Sequence, residues 1–432
     1  MIYLILLAGI ILRLISLNQS LWLDEATSAL VAKMPITDIF TKFLPGDFHP
    51  PLYYLILKYW SSVFGYSEVS LRIPSVIFGV LTIYVSYLIA KDIFDKKTAI
   101  VSSLFIATSG LAVYYSQEAR MYCLALLLVS VSIYLFTHKK WVIFSIILLL
   151  IGATDYVALF IIPIFFIVNF KNWKKIALCL IPLVIGIIFW MPVFISQFGN
   201  GISITGSAWW NILGSPSFKN IILIPIKFML GRITFDNKSI YSIIIIGTSI
   251  VFGYLLLKTI KTSKLLWAWL TVPIIIGLVI SFKIPTLSYF RFLFCLPAFY
   301  ILLAKGIDFK TFSGKLLFIL VLAINISSTS YYLFNPKFQR EDWRLAAATI
   351  KDDKVVLPAD SQKEALTYYK KGNQIVSIAD LSRSNHQVWL SRYVWEIFDP
   401  KDSTRKKLED LGYNKAQEYN FNGVVFWKYI KK

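Results

Sequence analysis

The chain has 432 residues, of which 57% are hydrophobic and only 16% charged, and its mean hydropathy is +0.65. A soluble domain of this length has no use for so much apolar surface, and repeated runs near the roughly 20 residues that cross a bilayer point to a polytopic membrane protein. The net charge of +20 does not argue for nucleic acid, because the basic residues gather in short loops between apolar runs, where the positive-inside rule wants them.

Residues 1–17 lack a basic leader and a small-residue cleavage site, so they are expected to stay as a first span over 2–18. Further spans are expected at 69–90, 98–115, 121–137, 141–154, 156–170, 176–195, 240–257, 265–282, 288–304 and 316–334, eleven in all. The pair 141–154 and 156–170 is short and reads as shallow. One set of alternate loops holds Lys91, Lys96, Lys97, Lys139, Lys140, Lys171, Lys174, Lys175, Lys258, Lys261, Lys264, Lys305, Lys310 and Lys315, whereas the opposite short turns hold only Arg120 and Lys283. The lysine side is therefore expected in the cytoplasm, with the amino terminus inside and the carboxyl end outside.

Two outward loops are long. Within 19–68, amphipathic pieces at 25–33 and 36–44 precede Pro50-Pro51, which opens a piece at 52–64 too short to cross; all three are expected as helices lying at the outer interface. The loop 196–238 carries Gly199-Asn200-Gly201, Trp209-Trp210 and Gly214-Ser215-Pro216 and reads as irregular. Near residue 335 the long apolar runs stop. Helix patterns at 341–351, 361–371 and 402–411 then alternate with strand-like runs at 354–358, 374–378, 386–391 and 423–429. The expected class is thus mainly α, a membrane bundle of about eleven helices over 1–334, with a small extracytoplasmic α/β domain over 335–432. Cys123, Cys179 and Cys295 all fall in apolar spans, which suits packing rather than a disulfide or zinc framework.

Acidic, basic and aromatic residues recur at the outward ends of several spans. Asp24 and Glu25 follow the first; Asp47, His49-Pro50-Pro51 and Tyr53-Tyr54 come later in the same loop; Glu68 and Arg72 begin the second span. Tyr114 through Tyr122 contains Glu118 and Arg120, and Asp155-Tyr156, Lys283 and Tyr289-Phe290-Arg291 complete the set. Ionisable groups at this depth are costly unless solvated, paired or used, which makes them site candidates. Plainer readings stand beside each. Asp24 and Asp155 can cap helices, Glu68 and Arg72 can pair at i and i+4, Glu118, Arg120 and Lys283 can snorkel to headgroups, His49 can bond its loop, and Trp209-Trp210 can anchor at the interface. The chemistry that would use them together is sugar transfer from a polyprenyl phosphate. A carboxylate takes the proton of the attacking hydroxyl while cationic side chains stabilise the departing phosphate.

At these residues the chain resembles the GT-C glycosyltransferases, specifically the protein O-mannosyltransferase and lipid A aminoarabinose transferase superfamily. The resemblance lies in Trp22-Leu23-Asp24-Glu25, His49-Pro50-Pro51-Leu52-Tyr53-Tyr54, Glu68 through Ser75, Tyr115 through Tyr122, Tyr289-Phe290-Arg291 with Leu296-Pro297-Ala298, and Glu341-Asp342-Trp343-Arg344. It implies an inverting transferase that moves a monosaccharide from a polyprenyl-phosphate donor to a glycan, lipid or protein acceptor at the outer face of the cytoplasmic membrane. Asp24 would be general base, Glu25 would support the acceptor, and Glu118 would be a second acidic residue. Arg120 and Arg291 would meet the lipid phosphate, with His49, Tyr53, Arg72, Tyr122, Asp155 and Lys283 also on the substrates. Two departures from the pattern stand out: Phe48 occupies the place before His49 where relatives often carry an acid, and Asp155 stands where many have His. A divalent cation is a further option, with Asp24, Glu118 and His49 as its ligand candidates. A secondary transporter or lipid flippase is the rival reading, but matched halves and deep polar residues other than Arg13 are not evident. A noncatalytic lipid-binding scaffold is a third.

Overall fold

The computed structural model describes residues 1–204, 208–359, 362–381 and 386–431, without the side chains of Ala208 and Asn211. Each of the eleven expected spans is helical. Five helices among the described residues have the length and apolarity to cross a bilayer unaided: Glu68–Ile93, Ile181–Ser203, Lys238–Lys258, Tyr289–Gly306 and Phe312–Phe334. Two bent pairs raise the number to seven, Lys96–Thr108 with Gly110–Ser116 at 59° and Val157–Val168 with Phe170–Cys179 at 101°. Ile2–Leu14, Tyr122–Thr137, Trp141–Gly152 and Lys264–Ile280 are shorter apolar helices. The protein is a multi-pass membrane protein of mainly α architecture.

The break at Ser109 shows how a bent span is tolerated where water is scarce. A helix leaves its last four carbonyls without partners in the helix, and in hydrocarbon each must find one elsewhere. Here Asn325 Nδ2 donates to Phe105 O at 3.2 Å, Ser109 N to Ile106 O at 3.4 Å, Arg13 Nη1 to Ala107 O at 3.1 Å and Thr329 Oγ1 to Thr108 O at 2.7 Å. All four are met. Gly231, at φ +64°, ends the helix Phe218–Leu230 with its Cα against the backbone of Gly110; a Cβ there would lie 3.1 Å from Gly110 C.

Two compact units divide the chain. One comprises Met1–Leu17, Pro35–Ile56 and Arg72–Phe334; the other comprises Asn18–Met34, Leu57–Leu71 and Asn335–Lys432. The segment 19–68 is thus shared between them. Its pieces are helical as expected at Leu23–Lys33 and Leu52–Phe64, but the middle piece tightens from a single α turn, Ile36–Asp38, through a π segment, Ile39–Phe43, to a 3-10 turn, Leu44–Gly46. The expectation of an irregular loop over 196–238 is corrected. Ile181–Ser203 continues through Gly199-Asn200-Gly201, and Ala208–Leu213 and Phe218–Leu230 are helices. Gly201 is buried where a Cβ would come within 3.3 Å of Ile284 Cγ2, so this glycine serves close packing inside a helix rather than a turn.

The second unit holds a four-stranded sheet built from β1 (Lys354–Val356), β2 (Gln387–Ser391), β3 (Tyr413–Phe421) and β4 (Val424–Lys431), in the order β1-β2-β4-β3. β1 and β2 run parallel and the other pairs antiparallel. Val356, Val388, Leu390, Leu408, Tyr413 and Tyr429 form its core. Two strand expectations need correction. The run 374–378 makes only a bridge from Ile375 to Val355 between 3-10 turns at Gly372–Gln374 and Ile378–Asp380, and β3 was not anticipated. β3 is an edge strand with most of its side chains exposed, so it lacks the apolar alternation that marks a half-buried strand. Its helices are Trp343–Ile350, Lys363–Tyr368, Trp395–Phe398 and Ser403–Asp410, and Ser361, where the second was expected to begin, lies outside the described residues.

Candidate active site

Within the first unit, the segment 44–54 presents a carboxylate, an imidazole and two phenols in sequence. Asp47 Oδ2 accepts a 2.7 Å hydrogen bond from Tyr54 OH, and Asp47 Oδ1 lies 3.6 Å from His49 Nδ1. Both side chains are largely enclosed. Burial pushes the Asp47 carboxyl up, but His49, Arg120 and the Tyr54 hydroxyl outweigh it and hold the carboxyl at about 2. Asp47 is therefore an ionised anchor.

Gln197 on Ile181–Ser203 fixes this segment from the side. Its Nε2 donates to Leu44 O at 2.7 Å and His49 O at 3.1 Å, while its Oε1 accepts from Tyr156 OH at 2.6 Å. Tyr156 OH in turn accepts from Trp190 Nε1 at 2.7 Å. Pro51 has no N–H to offer, and the first donor of the following helix, Leu52 N, reaches Ala153 O at 2.9 Å. That bond ties His49-Pro50-Pro51 to the turn carrying Asp155.

Asp155 is buried, and its Oδ1 accepts from Val157 N at 2.8 Å, the first amide of the 3-10 turn Val157–Ile161, whose N-cap position is held by Tyr156. Burial raises its pKa, opposed by the fields of His49, Arg291 and Arg120 and by the Val157 amide. Two carboxyls of one cluster are thus pushed in opposite directions. His49, Arg120 and Arg291, from three separate elements, all act electrostatically on Asp155. Such a group suits a phosphate oxyanion, which accepts several charge-assisted bonds at once.

The turn after Gly110–Ser116 is held with similar care. Arg13 Nε donates to Ser116 Oγ at 3.0 Å, Gln117 Nε2 to Arg13 O at 3.1 Å and to Ile15 O at 2.6 Å, and Tyr332 OH to Gln117 Oε1 at 2.7 Å. Glu118 is buried, as is Arg120, whose guanidinium lies 6.0 Å from the Tyr122 ring centre. Tyr122 packs edge-on to Tyr115 and Phe290, both at 5.3 Å, and Tyr115 lies in the field of Tyr289, Arg232, Glu118 and Tyr122. Arg232, which the sequence did not single out, sits over the Tyr114 ring at 4.4 Å and donates to its hydroxyl.

The other expected residues fall elsewhere. Tyr53 and Arg72 are buried in framework bonds, Tyr53 OH 3.4 Å from Ser75 Oγ and Arg72 Nη1 donating to Leu17 O at 2.8 Å. Lys283 is exposed in the turn after Lys264–Ile280, and Arg291 is half-buried in the 3-10 segment Tyr289–Cys295. Asp24 and Glu25 belong to the second unit, in the first turn of Leu23–Lys33, where Trp22 is the N-cap and no side chain caps the helix. Asp24 is half-buried and Glu25 fully buried. The simple capping account of Asp24 therefore fails, though both acids still favour the positive end of that helix. Glu68, in the same unit, pairs with Arg344 at 3.3 Å. Among the described residues no three His, Cys, Asp or Glu side chains are grouped to hold a metal ion, and the candidate ligands Asp24, Glu118 and His49 form no such group.

Residues 48–196 match the dolichyl-phosphate-mannose-protein mannosyltransferase family model. An uncharacterized protein of Aquifex aeolicus (strain VF5) is 28% identical over 132 residues, 29% of this chain, and the match spans 26% of that relative's length. In structure the chain is similar to ArnT from Cupriavidus metallidurans in its apo state, at TM-score 0.58 and 11% identity over 98% of this chain and 97% of the other. ArnT bound to undecaprenyl phosphate is similar at TM-score 0.55 and 11% identity, over 99% and 97%. The apo oligosaccharyltransferase of Archaeoglobus fulgidus is similar at 0.51 and 11%, over 91% of this chain and 70% of its own. By sequence the chain is similar over residues 48–196 to the dolichyl-phosphate-mannose-protein mannosyltransferase family, and by fold it is similar over nearly its whole length to ArnT.

Proposed function

We propose that the protein is an inverting glycosyltransferase that moves a monosaccharide from a polyprenyl-phosphate donor to an acceptor hydroxyl at the outer face of the cytoplasmic membrane. The amino terminus is then cytoplasmic and the carboxyl-terminal segment extracytoplasmic. The observation that carries this reading is that His49, Arg120 and Arg291 all act electrostatically on the buried Asp155, while Asp47 pairs with His49. It lies partly within the stretch similar to a family named for a dolichyl-phosphate sugar, and one structural neighbour was solved with undecaprenyl phosphate bound.

In this proposal the acceptor oxygen bonds to the anomeric carbon as the bond from that carbon to the phosphate oxygen breaks. The electron pair leaves with the lipid phosphate, where Arg120 and Arg291 stabilise the charge. The acceptor proton passes to Asp24, the general base, with Glu25 supporting the acceptor and Glu118 as a second acid. Tyr122, His49, Asp155 and Lys283 bind substrate, and Tyr53 and Arg72 position the elements that carry them. Asp24→Asn should lower turnover by about 10²-fold or more, the size of a lost general base, with donor binding retained. Lipid-linked sugars should accumulate in cells carrying only that variant. Normal turnover removes Asp24 from its role, and lost substrate uptake with intact glycan transfer favours a transporter instead.

A further inference from the structure

The second unit holds an open cleft of about 330 Å³ lined by Lys33, Tyr66, Glu68, Tyr368, Tyr369 and Lys370. Its floor is polar framework. Tyr369 OH accepts from Leu21 N at 2.9 Å and Ser20 Oγ at 3.1 Å and donates to Glu68 Oε1 at 3.1 Å, while Arg344 Nη1 meets the same carboxylate at 3.3 Å. Tyr368 OH donates to Tyr66 O at 2.6 Å. The one acid of the cleft is thereby neutralised by an arginine.

Two ammonium groups remain. Lys33 Nζ is lodged between the Tyr66 ring at 5.1 Å and the Tyr368 ring at 5.3 Å, and no ion pair to a carboxylate among the described residues is seen for Lys33 or Lys370. Lys370 stands at φ +62° directly after the cap residue of Lys363–Tyr368. Lys370 N returns to Thr367 O at 3.0 Å and Lys371 N to Leu366 O at 2.8 Å, the bond pattern in which glycine usually occupies the left-handed position. A lysine there is strained, and strain of this kind is kept where a side chain is wanted at a fixed place. Pinned between rings on one side and aimed by a left-handed turn on the other, the two cations face a single cleft whose acid is already satisfied.

We propose that this cleft is an anion site for the phosphate of a phosphorylated sugar, serving as a recognition subsite for the acceptor. Only its assignment to the acceptor rests on the transferase reading; anion binding stands on the cleft itself.

The test uses the full chain in nanodiscs of neutral phosphatidylcholine, with glucose 1-phosphate, inorganic phosphate and glucose as calorimetric probes. Glucose 1-phosphate should bind and weaken as salt rises, as charge pairing demands. Binding should fall about tenfold or more in Lys33→Gln and in Lys370→Gly. The second variant relieves backbone strain, so it should melt no lower than wild type, and its lost binding cannot be put down to misfolding. Equal binding of glucose and glucose 1-phosphate, or unchanged binding in both variants, overturns the proposal. So does competition by anionic phosphatidylglycerol discs that abolishes sugar-phosphate binding, which assigns the cleft to lipid headgroups. The Asp24→Asn protein separates the two readings. Probe binding kept there with transfer lost supports both, whereas intact transfer in a wild-type protein that binds no probe sinks the cleft alone.

Discussion

Arg13 is a charge inside the first apolar run, and replacing it by leucine tests whether it holds the bent span together. It is fully buried, with Nε 3.0 Å from Ser116 Oγ and Nη1 at 3.0 Å from Gly9 O and 3.1 Å from Ala107 O. Gly79 leaves the room, since a Cβ there would lie 2.1 Å from Ser116 Oγ and 3.1 Å from Arg13 Nε. Gly9 O lies within a helix and loses least. Ala107 O sits at the 59° break and would be left without a donor in an apolar surrounding, which costs about 1–3 kcal/mol. Ser116 keeps its own 2.6 Å bond to Ala112 O, so losing the arginine there adds about 1 kcal/mol. Arg13→Leu should therefore destabilise the bundle by about 2–4 kcal/mol. Thr329→Val, which strips only Thr108 O at the same break, should cost about 1–2 kcal/mol. Arg13→Lys should fall between wild type and Arg13→Leu, because an ammonium keeps the charge but loses the fork. Unfolding in mixed micelles of rising dodecyl sulfate content, followed by tryptophan fluorescence, reads these differences. An Arg13→Leu protein that unfolds at the wild-type midpoint would refute the claim that the break needs its side-chain donors.

Other consequences follow from the cluster and from the second unit. Arg291→Ala should weaken binding of a polyprenyl-phosphate donor by about tenfold or more, the contribution of one charge-assisted phosphate contact, and unchanged donor binding would remove that contact. Asp155→Asn keeps an acceptor for Val157 N but sheds a buried charge. Because burial raises the carboxyl pKa, the native state holds its proton longer than the unfolded chain, and stability falls as pH rises through that range. The variant should therefore be at least as stable as wild type at pH 8, with the advantage shrinking toward pH 4, while losing transfer activity; a melting series over pH checks this. Asp399 accepts from Ser403 N at 2.8 Å, Ser403 Oγ at 2.6 Å and Thr404 N at 2.7 Å at the start of Ser403–Asp410. Burial works against its charge, but these donors hold its carboxyl down at about 2. Asp399→Ala should cost that helix about 1–2 kcal/mol at pH 7, and the deficit should fade as acid below about pH 4 protonates the native carboxylate. Amide exchange over 403–410 is the readout.

The bundle was largely legible as pattern. An apolar run of span length has one low-energy backbone in hydrocarbon, so each of the eleven segments is helical, although 98–115 bends at Ser109 and 176–195 is divided between Trp173–Cys179 and Ile181–Ser203. Pattern also picked out Leu52–Phe64 to the residue, since Pro50-Pro51 marks its start and Gly65, at φ +83°, its end. It failed at the β3–β4 hairpin. Asn422 and Gly423, both at positive φ, form the two-residue turn that favours a hairpin, but the strand before it is too polar to register as apolar alternation. Its pairing is set by β4, which only the folded sheet supplies.

The candidate site divides along the same line. The acids, bases and tyrosines stood out because charge beside long apolar runs is rare and local, a property of composition. Which of them meet was decided elsewhere. Asp47 looked displaced by Phe48 from the place an acid usually takes, yet the 3-10 turn Leu44–Gly46 brings its carboxylate to His49 and Tyr54. Gln197 and Arg232 carried no local signal, for a glutamine or arginine within or after an apolar helix gains meaning only from partners a hundred or so residues away. Hydrophobic periodicity is a short-range property of the chain, whereas the hydrogen bonds that satisfy a bent helix and pin a loop are long-range. Only packing brings their donors and acceptors together.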